Sequence, residues 1–144
     1  MVISADTSFL FSLYGNDSNT PAAVAWGKGN VLPVSISSLN RFELLNALRF
    51  SEFRKTLKPE EATMHQKLFH NAIADGRLIE APSRLEEILA EAHRLSAAHT
   101  LTGGHRGFDI LHVAAARIMR ASHFLTFDAN QKKLAENAGL IVPI

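Results

Sequence analysis

The sequence predicts an α/β domain on a largely parallel sheet, and three observations carry that prediction. Short β-type runs alternate with helical patterns along the chain. The segments between runs are mostly long enough for the crossover helix that parallel neighbours require. No linker, repeat or low-complexity stretch divides the 144 residues, a length close to that of one domain.

The β-type runs fall at 2–5, 31–36, 77–81, 123–127 and 140–144. After the first run, 8–14 reads as a helix ending at Gly15, and Pro21 opens a second through Trp26. A stronger helix covers 39–53. Lys58-Pro59-Glu60-Glu61 is a charged start for a helix over 64–74, which Asp75-Gly76 closes, and 83–98 forms the longest amphipathic segment before Gly103-Gly104. The spacing of Phe108, Leu111, Ala115 and Ile118, supported by Ala114, predicts a nearly buried helix, and a last one over 129–138 stops at Gly139. Residues 15–20 and 100–107 read as surface loops. Phe9, Phe42, Phe50, Phe108 and Phe127 fall on apolar faces or strands and are assigned to the core.

Fifteen Lys and Arg against fourteen Asp and Glu give a formal charge of +1, which excludes a polyanion-binding tail or an acidic disordered chain. The absence of cysteine excludes disulfides, thiolate zinc sites and iron-sulfur clusters, and it fits a reducing compartment. Any metal must be held by oxygen or imidazole. The N-terminus has no basic region, Asp6 interrupts its apolar run, and no stretch approaches the roughly 20 apolar residues of a membrane span. A soluble, cytoplasmic protein with no membrane contact is expected.

The acids supply the functional signal. Asp6 follows the first run, Asp128 follows the fourth, and Asp109 opens the helix leading into the fourth. Ligands of open α/β sheets bind beyond the carboxyl ends of strands, where strand order reverses. If the first and fourth runs are neighbours there, Asp6 and Asp128 face each other. Glu43 has helical neighbours Leu39, Ala47 and Phe50 and is expected to point inward.

Converging carboxylates raise one another's pKa and oppose folding, a conflict that a hard divalent cation such as Mg²⁺ or Mn²⁺ removes. The chemistry implied is metal-assisted attack of water on a phosphodiester. Each acid also has a purely structural explanation. Asp6 and Asp128 suit helix N-caps, Asp128 with Gln131 and Asn40 with Glu43 have capping-box spacing, and Asp109 suits a helix dipole. As a set, however, the four share one side of the expected sheet.

Other candidates are fewer. The seven histidines include no i, i+4 pair; His112 shares a helix face with Asp109 and is expected to be a satisfied, partly buried histidine. Arg106, three residues before Asp109 in a glycine-rich loop, is placed to steer a phosphate. Trp26, beside Gly27-Lys28-Gly29, is a candidate contact for a nucleic-acid base. Gly103-Gly104 lacks the spacing of a nucleotide phosphate cradle.

The stretch from Phe108-Asp109-Ile110-Leu111-His112 through Ala116, then Phe124-Leu125-Thr126-Phe127-Asp128, Gln131, Leu134-Ala135 and Ala138-Gly139-Leu140, closely resembles the C-terminal signature of PIN-domain ribonucleases, especially VapC-type toxins. Asp6-Thr7-Ser8 and the helix bearing Glu43 match the other family motifs in order, so the resemblance spans residues 1–144 as a single domain. It implies a three-layer α/β/α fold with a mainly parallel five-stranded sheet of order 3-2-1-4-5.

By this resemblance Asp6, Glu43, Asp109 and Asp128 form a catalytic pocket for Mg²⁺ or Mn²⁺ that cleaves RNA, with Asp6 and Asp109 the principal metal ligands. Thr7, Ser8 and Thr126 stand where the family uses hydroxyls to orient water or a carboxylate. The ending Asp128-Ala129-Asn130-Gln131 departs from the commonest toxin form by carrying an amide in place of a second acid. The resemblance further implies a small cognate antitoxin and a homodimer. The alternatives are a catalytically inactive RNA-binding or antitoxin-binding module and, less favoured, an aspartyl-phosphate phosphatase. The phosphatase would need an Asp-x-Asp arrangement, and position 8 is Ser.

Overall fold

The computed structural model describes residues 1–30, 33–82 and 84–144. Strand β1 (Ile3–Ala5) leads into α1 (Thr7–Tyr14) and α2 (Thr20–Gly29), and β2 (Val34–Ile36) into α3 (Ser38–Phe53) and α4 (Glu61–Ala74). Strand β3 (Leu78–Glu80) is followed by α5 (Leu85–Gly103) and α6 (Gly107–Ile118), then β4 (His123–Leu125) and α7 (Ala129–Asn137). The predicted beginnings of the second run at Val31 and of the fifth helix at Ser83 lie outside the described residues.

All pairings are parallel, in the order β3-β2-β1-β4, with Ile3 opposite both Val34 and His123. The predicted fifth strand is present as an isolated parallel bridge between His123 and Ile141 on the outer side of β4. Ile141 N–H donates to Ser122 O and its carbonyl accepts from Phe124 N, both at 2.9 Å. The next rung would need an N–H at residue 143, which is proline, so the ladder stops after one bridge.

Alternation along the strands splits the interior into two cores. Ile3, Ala5, Ile36 and Leu125 pack with Phe9, Leu10, Leu44, Leu48 and Phe69 under α1, α3 and α4. Phe124 turns to the opposite face and packs with Leu95, Val113, Leu134 and Ala135 under α5, α6 and α7. The result is the three-layer α/β/α arrangement. No helix among the described residues is long and apolar enough to cross a membrane.

Three aromatic assignments are corrected. Phe42 and Phe50 are 63% and 52% exposed, and Phe108 also lies open to solvent. The buried stripe of α3 is Asn40, Leu44 and Leu48. Phe42 and Phe50 each lie two residues from members of that stripe, about 200° around a helix, and so face away from it. Phe9 is fully buried, and Phe127 packs against it with ring centroids 5.6 Å apart. Helix α5 also runs beyond residue 98, ending where Gly104 takes the left-handed conformation (φ 64°) and donates its N–H to Thr100 O.

Candidate active site

The first strand delivers Asp6 to the fourth. Asp6 N–H donates to Leu125 O at 3.1 Å, which sets the residue after β1 beside the end of β4, the neighbouring relation that sequence reasoning required. Asp6 is buried and three donors meet its carboxylate. Oδ1 accepts from Phe9 N–H at 2.8 Å, and Oδ2 accepts from the hydroxyls of Thr126 at 2.6 Å and Ser8 at 2.7 Å. Burial raises its pKa; these three hydrogen bonds and the proximity of His112 offset only part of the desolvation. Asp6 therefore does cap α1, but an N-cap is normally solvated and this one is buried.

Asp128 likewise caps α7, its Oδ1 accepting from Asn130 N at 2.8 Å and Gln131 N at 2.9 Å. Its own N–H donates to Thr126 Oγ1 at 3.0 Å, so one hydroxyl ties the Asp128 backbone to the Asp6 carboxylate. Asp109 occupies the first turn of α6, and Gln131 Nε2 donates to its carbonyl at 3.1 Å, joining α6 to α7. The capping box on α3 uses Ser37 and Asn40, not Asn40 and Glu43, which leaves Glu43 without a capping role.

Glu43 is held from across the sheet end. His112 Nε2 lies 2.9 Å from Glu43 Oε1 and 3.0 Å from Thr7 Oγ1, so the Thr7 hydroxyl sits on the Glu43 side of the ring. Burial pushes the Glu43 pKa up, but His112, Thr7 and the more distant Arg106 outweigh it, and the net shift is downward. Arg106, 78% exposed, donates Nε to Asp109 Oδ2 at 2.9 Å and places Nη2 3.9 Å from Asp128 Oδ2. Its pKa rises through that bond to Asp109 and the charges of Asp109, Asp128 and Glu43.

Asp6, Glu43, Asp109 and Asp128 line one cavity of about 610 Å³, with Thr7, Ser8, Arg106 and His112 in the same wall. Thr126 touches the site through Asp6 and Asp128. Trp26 is not brought to this cavity. It packs edge-on against Phe9 at 5.6 Å and lines a separate cavity with Tyr14 and Leu68, because α2 turns its ring toward the core under α1. Sequence reasoning passed over Asp17, a further carboxylate in the wall of the acidic cavity, held by Ser12 Oγ at 2.8 Å. It lies in a turn, Asp-Ser-Asn-Thr, whose composition signals only the local hydrogen bonds it also makes.

The donors available for a cation are oxygens, with no thiolate in the chain, which suits Mg²⁺ or Mn²⁺. Among the described residues no three of His, Asp and Glu form a cage that could hold an ion unaided. An open set of this kind fits an ion that retains water and takes further oxygens from a phosphate. The buried Asp6, its pKa raised despite three donors, is the carboxylate with most to gain from an added positive charge.

No curated protein matches the chain. Among solved structures it is similar to FitAcB from Neisseria gonorrhoeae, at 18% identity and a TM-score of 0.68 over 98% of this chain and 96% of that one. It is also similar to VapBC2 from Rickettsia felis bound to a DNA fragment from their promoter, at 19% identity and a TM-score of 0.65 over 99% and 97%. These likenesses confirm the α/β/α fold. The PIN domain family matches residues 3–137, nearly the whole described fold and all five cavity acids, and the chain therefore belongs to the PIN domain family.

Proposed function

We propose that the protein is a Mg²⁺- or Mn²⁺-dependent endoribonuclease, the toxin of a toxin-antitoxin pair. The convergence of Asp6, Glu43, Asp109 and Asp128 on one cavity at the β1 and β4 strand ends carries this reading. PIN domains are generally nucleases, which supports hydrolysis of a nucleic acid. Asp6 and Asp109 would be the principal ligands, with Glu43 and Asp128 completing the oxygen set. When bound, the cation supplies Lewis-acid stabilisation of the charge that develops on the phosphate.

The chain's own residues do the rest. Ser8, Thr126 and the Phe9 N–H hold Asp6 in one orientation. Arg106, exposed at the mouth, exchanges its contact with Asp109 for a phosphate oxygen as the substrate enters. Water attacks in line at phosphorus and gives its proton to solvent, the 3′- or 5′-oxygen leaves and takes a proton from solvent, and with water as the nucleophile the RNA 2′-hydroxyl takes no part. A small cognate antitoxin and a homodimer belong to the same reading. The fold-level likeness to FitAcB and VapBC2 supports the antitoxin, and the exposed Phe42, Phe50 and Phe53 on α3 supply apolar surface for a partner.

The test is cleavage of a labelled single-stranded RNA by wild type, Asp6→Asn and Asp109→Asn in Mg²⁺, Mn²⁺ or EDTA. Wild type should cleave only with metal, and each variant should lose at least a hundredfold in rate while keeping its circular dichroism. Cleavage in EDTA, or full activity in both variants, overturns the proposal. Tight RNA binding with no cleavage in any metal establishes the non-catalytic module instead.

A further inference from the structure

The described polar network behind the acids contains a group with no part in the chemistry above. His112 is almost fully buried on α6, three residues after Asp109, and both of its ring nitrogens are engaged. Nδ1 lies 3.3 Å from Asn40 Nδ2. The orientation of the Asn40 amide is set by backbone groups of fixed polarity. Ser37 N–H donates to Asn40 Oδ1 at 3.0 Å, and Asn40 Nδ2 donates to Ala5 O at 3.2 Å. An amide turned the other way would set two donors together at Ser37 and two acceptors together at Ala5. Nδ2 is therefore the atom facing the imidazole, Nδ1 must accept, and the ring hydrogen sits on Nε2. That N–H points between Glu43 Oε1 and Thr7 Oγ1.

We propose that His112 is a positioning residue for the acidic site: Asn40 fixes its hydrogen on Nε2, and this N–H, which Thr7 Oγ1 also approaches, holds the Glu43 carboxylate in the cation-binding cavity. Asn40 and Glu43 lie three residues apart on α3, His112 is on α6 and Thr7 opens α1, so one imidazole sets three helices in register around Glu43. Any buried imidazole gains from hydrogen bonds on its nitrogens; what marks His112 as a positioning residue is that the partner of its Nε2 is Glu43, a carboxylate of the cavity wall. Outer-shell partners of metal ligands typically govern about 10- to 100-fold in metal affinity. The inference rests on the metal-dependent reading of the site.

Two measurements on the full chain test it. In metal-free protein labelled with ¹⁵N-histidine, the two-bond ¹H–¹⁵N correlation, assigned by loss of the signal in His112→Gln, should show the His112 hydrogen on Nε2. A hydrogen on Nδ1 overturns the inference. Mn²⁺ affinity is then followed by the electron paramagnetic resonance of the free ion in wild type, His112→Gln and His112→Leu. Leucine keeps the bulk and removes the donor, and should weaken binding tenfold or more. Glutamine, whose amide N–H can still reach Glu43, should recover most of that loss. Leucine binding as tightly as wild type, or glutamine doing no better than leucine, overturns it. Should the leucine variant fail to fold, the wild-type tautomer and the glutamine affinity decide. Wild type that binds no Mn²⁺ overturns the metal reading itself, whereas an Nδ1 hydrogen sinks the positioning role alone.

Discussion

Thr126 Oγ1 gives its hydrogen to Asp6 and takes one from the Asp128 backbone, and the residue is 1% exposed. Valine has the same shape without either capacity, so Thr126→Val leaves an unpaired N–H at the start of α7 and one donor fewer on a buried carboxylate. The expected cost is about 1–3 kcal/mol, read from urea unfolding. Serine at this position should restore most of it; a valine variant as stable as wild type would show that neither bond contributes. Gly103 is constrained by space, not by dihedral angle. A Cβ there would stand 2.3 Å from His105 Nε2 and 2.9 Å from its Cδ2. The His105 ring is buried, with Asn130 Nδ2 3.3 Å from its Nδ1, so Gly103→Ala must push the ring off α7 and disturb the backbone that carries Arg106. Overpacking of this kind costs about 1–3 kcal/mol, and a thermal melt unchanged from wild type would show that the ring moves freely.

At the scale of elements, α5 and α6 are clamped by Glu91. Its carboxylate takes Arg117 Nε from α6 at 2.6 Å and is also bonded by Arg94. The Arg94 bond chiefly lowers the Glu91 pKa, against desolvation, and Arg117 adds to the effect. A carboxyl whose pKa falls on folding stabilises the fold above its ordinary range, and that stability is lost as the pH drops through the lowered value. Wild type should therefore lose more of its urea midpoint between neutral and strongly acid pH than Glu91→Gln does. Parallel losses would show that the clamp contributes nothing. Helix and strand order was legible because alternation and caps are local signals, while Pro143 reduced the last strand to a bridge. The exposure of Phe42 and Phe50 was not legible by composition: Leu39, Ala47 and Phe50 read as one apolar face, yet the stripe that meets the sheet is Asn40, Leu44 and Leu48. The polar residue that opens the buried stripe, Asn40, completes the local capping box with Ser37, but its contacts with Ala5 and with His112, 72 positions away, are long-range and left no local signal.

For the molecule as a whole, the near-neutral charge conceals a local conflict. Asp6, Asp109 and Asp128 were visible in sequence because each follows a strand or opens a helix, and Glu43 because its helical neighbours are apolar; their common cavity depends on β1 and β4 being neighbours, which local patterns do not state. Without a cation the fold must hold Asp6 buried, its pKa raised by desolvation. Stability from such a group is complete below the ordinary aspartate range and is lost as the pH rises through the raised value. Ionised Asp6 thus costs the metal-free protein stability at neutral pH. Asp6→Asn removes that charge while its Oδ1 can still accept from Phe9 N–H. The metal-free variant should melt no lower than wild type at neutral pH, with the gap closing on acidification. Mn²⁺ should reverse the order. A ligand at a hundred times its Kd adds about 2.7 kcal/mol to the state that binds it, and only wild type should gain this. Melting curves for both proteins, with and without Mn²⁺ at two pH values, would decide: an asparagine variant that melts lower than metal-free wild type at neutral pH, or that gains equally from Mn²⁺, would show that Asp6 is retained for the fold and not for the cation.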